Sequence, residues 1–314
     1  KFPVVLSAWQ RRAGKEFRRA DGMNKTPNPV SINTPEEAFE RMQQELQAGN
    51  SDKAIVIADR LIRLARENLL SIREPLVDAV SRDLQNGRLH QRIWEIDKAV
   101  GLHNAYFSQS GQDRFIEKNF FDGKTDGVFV DIGGYDGING SNTLFFEKFR
   151  HWKGICIEAS PMQFEKMAQS RSAECLNIAV SNFEGEALFF EITKGFDQMS
   201  RLKEDLQPEF LDNLEKMNKG KEAESQDITV KVTTFDKIAK ERDLTHVDYC
   251  SIDVEGSEIK VLQGIDFDYT DIRAISIENP SSQPDNFKLV RDFMSDRGYQ
   301  LVGSLGVDDI FTKR

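Results

Sequence analysis

Residues 128–137 read VFVDIGGYDG. A short apolar run, 128–132, delivers Asp131 into a turn framed by Gly133 and Gly137, with the spacing D-x-G-x-x-x-G. A strand that ends in such a turn and is followed by a helix lets a ligand approach bare backbone at the carboxyl edge of a sheet. The dinucleotide fingerprint G-x-G-x-x-G and the phosphate loop G-x-x-x-x-G-K-[ST] are both absent. An acid inside the loop repels a pyrophosphate and suits a cationic or amino-bearing ligand.

Further acids stand where other strands should stop. Glu158 closes GICIE (154–158), a plausible βαβ distance beyond Asp131. One carboxylate there can bond both hydroxyls of a ribose. Asn177, Ala179 and Ser181, in NIAVS (177–181), could meet an adenine edge. The runs 247–253 and 273–278 end in Asp253-Val254-Glu255-Gly256 and Glu278-Asn279-Pro280. Carboxylates that converge on one cleft perturb one another's pKa, and a base is what an alcohol needs to become a nucleophile. S-adenosylmethionine carries an amino group, a sulfonium and a ribose, so it fits this set. Any single acid of this kind can instead cap or solvate a helix start, as Ser257 is expected to do. Acids at four strand ends together resist that explanation.

The elements that must hold these residues change character along the chain. Residues 33–101 are helical in pattern, with predicted helices over 34–47, from 51, over 71–84 and over 89–100. They resemble one or two tetratricopeptide-like hairpins, fewer than a solenoid needs. From Tyr106 on, short apolar strands at 128–132, 154–158, 174–180, 186–192, 247–253 and 273–278 alternate with helices. A closing antiparallel pair is expected at 299–302 and 309–312. This pattern predicts an α/β fold: a doubly wound, mostly parallel seven-stranded sheet, preceded by a small all-α domain. The expected division is a basic, poorly ordered arm at 1–32, a helical domain at 33–105, and an α/β domain at 106–314. A lid-like insert is expected at 193–226, with a helix at 202–218. Within it Arg201 is a candidate contact for an anionic acceptor.

Composition bounds the alternatives. The chain has 314 residues and a net charge of -10, which argues against a general nucleic-acid binder. Cys156, Cys175 and Cys250 lie in apolar runs without C-x-x-C spacing, so they read as small buried hydrophobes. The four histidines are too scattered for a metal cluster. No run approaches a membrane span. The opening KFPVVLSAW lacks a full signal peptide, which makes cytoplasm the expected compartment, and the first residue is not Met, as in a fragment.

The runs GQDRFI (111–116), VFVDIGGYDG, SNTLFFE (141–147), WKGICIEASP (152–161), NIAVS and YCSIDVEGSEIKVLQGIDF (249–267) resemble the FkbM family of S-adenosylmethionine-dependent methyltransferases. The resemblance covers roughly 106–314, and the pairing of DIGGYDG with IDVEGSE is its most specific part. Ala159 and Gly134 depart from it, where the family more often has proline and alanine. Membership implies methyl transfer to a hydroxyl of a sugar, a polyketide or another small molecule. It implies a cofactor site in which Asp131 faces the amino-acid end, Gly133 and Gly137 admit the ligand, and Tyr135 closes over it. Gln112, Asp113 and Asn142 would meet the same end, with Glu158 and Ala159 beside the ribose. Asp253 is the first candidate base. Glu255 and Glu278 could share that role, or could join Asp253 in holding one Mg²⁺. Glu258 reads as an ordinary helix residue. The resemblance is silent on the helical segment, which could recruit a second copy or a protein partner. Two other readings stay open on the residues alone. One is an NAD(P)-dependent oxidoreductase on a similar sheet, and the other is a scaffold with an inactive α/β half.

Overall fold

In the computed structural model, residues 35–313 are described apart from 84, 104, 207–209, 212, 213, 215, 217–222 and 280–283. The basic arm expected at 1–32 lies outside the described residues. Contacts divide the chain into two compact units, Lys1–Asn68 and Leu69–Arg314.

The first helices are α1 (Pro35–Gln47), α2 (Ser51–Arg82) and α3 (Gly87–Ala99). The break expected between 64 and 71 is absent, because Ala65, Arg66, Glu67, Leu69 and Leu70 all favour helix and nothing there stops it. The single helix α2 carries Pro75 inside it. The expected boundary at 105/106 also moves. Arg73 pairs with Asp97 at 2.5 Å, the Trp94 indole donates to the Ser108 carbonyl at 3.2 Å, and the Gly306 amide donates to the Gly87 carbonyl at 3.0 Å. Residues 69–105 are therefore part of the α/β unit.

That unit continues with α4 (Gln112–Phe120), β1 (Val128–Ile132), α5 (Leu144–Arg150), β2 (Lys153–Glu158), α6 (Pro161–Ser170) and β3 (Glu174–Asn177). Next come β4 (Ala179–Val180), β5 (Gly185–Lys194), β6 (Arg201–Leu202), β7 (Glu224–Thr233), α7 (Phe235–Glu241) and β8 (His246–Ile252). The chain ends with α8 (Glu258–Gln263), β9 (Asp271–Glu278), α9 (Pro284–Asp296), β10 (Tyr299–Leu305) and β11 (Asp308–Lys313).

Seven strands form the main sheet in the order β10-β11-β9-β8-β1-β2-β3. The β3-β2-β1-β8-β9 run is parallel, and β11 is antiparallel to both β9 and β10, so the sheet is mixed. Alternation within each strand feeds two cores. Phe129, Cys156, Tyr249 and Ala274 pack with α4, α5 and α6 on one face. Val130, Ile132, Ile155, Ile157, Cys250 and Ile252 pack with α7, α8 and α9 on the other. Cys156 and Cys250 are buried and Cys175 is half-buried, as their apolar surroundings suggest.

The strands expected at 174–180 and 186–192 do not all join this sheet. Ile178 interrupts the first, and β4 turns away to pair with β7 in a second sheet ordered β4-β7-β5-β6. The two ends of the expected insert 193–226 belong to the β5–β7 antiparallel pair, whose register runs from Gly185↔Val232 to Lys194↔Glu224. In place of the start of the helix expected at 202–218, β6 pairs with β5 and a 3₁₀ turn follows over Lys203–Asp205.

At the carboxyl edge of the main sheet, two loops cross at van der Waals limits. The Asp253 amide donates to the Ile132 carbonyl at 2.9 Å. Gly133, at φ +86, sits where a Cβ would stand 1.7 Å from the Asp253 carbonyl oxygen. Only glycine tolerates both the left-handed backbone and that approach. Gly133→Ala should therefore destabilise by about 2–4 kcal/mol, combining backbone strain with overpacking. Urea denaturation of the variant checks this.

Candidate active site

The carboxyl ends of β1, β2 and β8 open onto one cleft. Asp131, Gly133 and Tyr135 line it from β1 and its loop, Glu158 and Ala159 from β2, Ala179 from β4, Asn142 from the segment before α5, and Asp253 and Glu255 from the loop after β8.

The glycine turn has little free backbone. The amides of Gly133 and Gly134 both donate to the Ile157 carbonyl, at 2.9 and 3.0 Å, so they hold β1 to β2. Gly137 does not line the cleft. A Cβ on it would lie 2.6 Å from Ser170 Oγ and 2.8 Å from Arg171 Cγ, so its bareness admits the end of α6. Tyr135, with φ 49, bridges the cleft instead. Its amide donates to Glu158 Oε2 at 2.9 Å and its hydroxyl to Asp197 Oδ1 at 2.7 Å.

Asp131 is not a bare charge. Its Oδ2 accepts from Thr143 Oγ1 at 2.6 Å and lies 3.4 Å from Arg171 Nη1. The Arg171 side chain is fully buried, with its Nε on Glu147 at 2.7 Å, its Nη2 on Thr143 Oγ1 at 2.8 Å, and its guanidinium 5.2 Å over the Phe129 ring. Strand alternation explains the meeting, because Asp131 and Phe129 share one face of β1. Nothing local marks Arg171, which reads as an ordinary end-of-helix arginine.

Glu158 is 9% exposed and accepts from the amides of Tyr135 and Ser160, at 2.9 and 2.7 Å. Burial pushes its pKa up to about 7, against the pull of those backbone bonds. A carboxylate has about four lone-pair positions, so two remain for another donor.

Four other expected cofactor residues serve the fold. Asp113 is buried and accepts from the amides of Phe107, Ser108 and Arg114 and from the Ser108 hydroxyl. Gln112 donates to Asp308 at 3.0 Å. Asn177 donates to the carbonyls of Glu158 and Ala159. The Ser181 amide donates to the Thr233 carbonyl at the start of the second sheet. None of the four lines the cleft. Their places in the sequence, next to strand ends, carried the expectation, but their side chains face inward or across strands. Asn142 does line it. Its amide donates to Ser251 Oγ at 3.0 Å, and its buried Oδ1 has no partner among the described residues.

After β8 and at the end of β9, oxygens of Asp253, Glu255 and Glu278 lie within 4.8 Å of one another; Asp253 and Glu255 line the cleft and Glu278 does not. Burial, then mutual repulsion with Glu255, Asp308 and Glu258, holds Asp253 well above the usual carboxylate range. Burial and repulsion by Asp253 do the same to Glu278. Burial pushes Glu255 up to about 7, although Arg201 opposes it. Arg201 donates to Glu255 Oε2 at 3.0 Å and stacks 3.8 Å from the Phe210 ring, so it is engaged within the protein and not poised for an anionic acceptor. Glu258 is fully buried and accepts from the amides of Gly256 and Val254, so it shapes the loop as well as starting α8. Ser257 makes no capping bond. Its hydroxyl donates to Asp205.

Sequence reasoning passed over several lining residues. Ser251 lies two positions before Asp253, a spacing that could have flagged it. Gln109, Ser160 and Gln163 line the cleft without a sequence pattern of their own. Phe189, Asp197 and Leu202 reach the cleft through long-range pairing of the second sheet, which leaves no local mark.

The profile of the methyltransferase FkbM domain matches residues 131–301, more than half of the chain, and the chain belongs to that family of methyltransferases. Similar solved structures include a methyltransferase FkbM from Methylobacillus flagellatus KT, at 11% identity and TM-score 0.41, covering 76% of this chain and 58% of that one. A methyltransferase from Pyrococcus furiosus is 13% identical with TM-score 0.33, covering 72% and 98%. The human methyltransferase 10 domain containing protein is 12% identical with TM-score 0.33, covering 64% and 79%. The chain thus spans 58% of the first of these relatives. No curated protein sequence matches it. Among the described residues, no helix is long and apolar enough to cross a membrane.

Two outcomes follow from the site's charges. Arg171→Met leaves Asp131 buried without its cation and leaves Glu147 with Lys148 alone, and should cost about 3–5 kcal/mol. Adding Asp131→Asn should recover part of that loss, as denaturant titration of the single and double variants will show. For Glu158 the folded pKa of about 7 exceeds the ordinary 4.5. The folded state therefore binds more protons than the unfolded state between these values, and this residue's contribution to stability falls as pH rises across them. Melting curves of Glu158→Gln should show a weaker decline over that window than the parent protein.

Proposed function

We propose that this chain transfers a methyl group from S-adenosylmethionine to a hydroxyl of a sugar, glycan or other small natural product. The supporting observation is one cleft lined by Asp131 and Glu158 from the glycine-turn side and by Asp253 and Glu255 from the loop after β8, with Glu278 within 4.8 Å of the latter two. On the donor face, Glu158 keeps its two amide bonds and offers its remaining lone pairs to ribose hydroxyls. The unpartnered Asn142 Oδ1 is a ready acceptor for the amino group of the methionine moiety. Ile178, Ala179 and Phe189 supply an apolar wall for the adenine.

On the acceptor face, Asp253 is the base. The acceptor oxygen attacks the methyl carbon in line, and a C–O bond forms as the S–C bond breaks. The electron pair of the broken bond stays on sulfur as a thioether, and the hydroxyl proton passes to the carboxylate. The raised pKa of Asp253 brings it nearer to an alcohol's and makes that transfer less uphill. Glu255 and Glu278 share the proton or orient the hydroxyl. The same three residues suit Mg²⁺, since they offer hard oxygen donors within 4.8 Å and, among the described residues, only Arg201, on Glu255, pairs with one of them. Such an ion, when bound, would lower the pKa of the acceptor hydroxyl.

Calorimetry with S-adenosylhomocysteine should give binding in the micromolar range that Glu158→Ala abolishes. A well-folded protein that binds none of it would sink the proposal. Asp253→Asn should lower kcat by about 10²–10⁴-fold while leaving cofactor affinity close to unchanged. Turnover that survives EDTA assigns the chemistry to the carboxylate alone, and loss restored by Mg²⁺ assigns it to the ion-bearing site.

A further inference from the structure

The cleft wall holds five carboxylates, Asp131, Glu158, Asp197, Asp253 and Glu255, and among the described residues it has no Lys, Arg or His. Most of these acids are answered from behind. Arg171 backs Asp131, two amides hold Glu158, and Arg201 bonds Glu255. Asp197 accepts from Tyr135 and Gln163, with Lys166 at 3.9 Å. Asp253 differs from the rest, as does its neighbour Glu278, which is not one of the lining residues. No hydrogen bond or ion pair from a described residue reaches either one, yet their oxygens stand within 4.8 Å of each other and of Glu255. Carboxyl groups that no donor answers thus collect beside the loop after β8, at a concave and partly dry site where fields are concentrated.

We infer that the cleft selects its methyl acceptor by charge, favouring a hydroxyl compound that carries an ammonium group, such as an amino sugar or amino alcohol, and rejecting acceptors that carry phosphate or carboxylate. This rests on the methyl-transfer reading above and narrows its acceptor. An ammonium brings three donors and no acceptor, so it can give Asp253 and Glu278 the partners that they lack while a neighbouring hydroxyl meets the methyl group. A phosphate or carboxylate in the same place meets like charges and leaves those acids without donors. A nucleotide-linked sugar brings two such charges. The donor obeys the same rule, since its transferred methyl sits on a sulfonium.

The test uses the intact protein in EDTA, so that no divalent ion screens the carboxylates. Titrations compare S-adenosylhomocysteine with sinefungin, an analogue that carries an amine where the transferred methyl would be. Sinefungin should bind about tenfold or more tightly at low salt. That margin should shrink at high salt, and also in Glu278→Gln. Equal or weaker sinefungin binding overturns the inference. If neither ligand binds folded protein, the methyl-transfer reading falls and takes this inference with it. In parallel, labelled methyl transfer is measured to methyl glucosaminide, methyl glucoside, methyl glucuronide and UDP-glucose. The amine-bearing member should show the highest kcat/KM of those turned over. Equal or better turnover of the glucuronide or of UDP-glucose also overturns the inference, and the titration decides where no member is turned over.

Discussion

The crossing of two loops at Gly133 and Asp253 is the constraint on which the rest of the molecule hangs. The Asp253 amide bonds the Ile132 carbonyl, and its own carbonyl lies where any Cβ on Gly133 would be. That single contact sets how far apart the Asp131 loop and the acid-bearing loop can stand. Around it, the amides of Gly133 and Gly134 tie the same loop to β2, which brings Glu158 into place. The glycines of this turn thus act first as packing devices. They let three strand ends converge, and the cleft is the space that remains between them.

The charges of that cleft are handled in two ways. On the glycine-turn side they are satisfied: Asp131 by Thr143 and Arg171, Glu158 by two amides. A buried pair of this kind adds rigidity more than stability, because desolvation cancels much of the attraction. After β8 and β9, Asp253 and Glu278 repel each other without a partner among the described residues, and burial holds both well above their usual range. Such a cluster destabilises the folded protein at neutral pH. Strain of this kind is the ordinary mark of a site under functional demand.

Much of this arrangement was legible in the residues. Strands 128–132 and 154–158 stand close to where their Val, Ile and Phe content put them, and the acids at their ends, with Asp253 beyond β8, do share a cleft. The misreadings have physical causes. Residues 174–180, ECLNIAV, hold no Gly or Pro, so nothing local shows that Ile178 divides two strands belonging to different sheets. The α2 helix runs through an expected break because its residues are good helix formers and no Gly marks a stop. Gln112 and Asp113 occupy a promising place in the chain, yet their side chains turn inward to Asp308 and Ser108.

The sequence by itself determined the alternation of strand and helix, the acids at the strand ends and the glycine turn, because these depend on residues a few positions apart. Only the tertiary structure decided that Arg171 neutralises Asp131, that Arg201 is held by Glu255, and that Tyr135 and Asp197 span the cleft. It also decided that Asp253 and Glu278 would be left facing each other without a donor. Those outcomes depend on pairings between residues 25 to 62 positions apart. A local pattern can place a charge at the end of a strand, but whether that charge is answered depends on what the fold brings to face it.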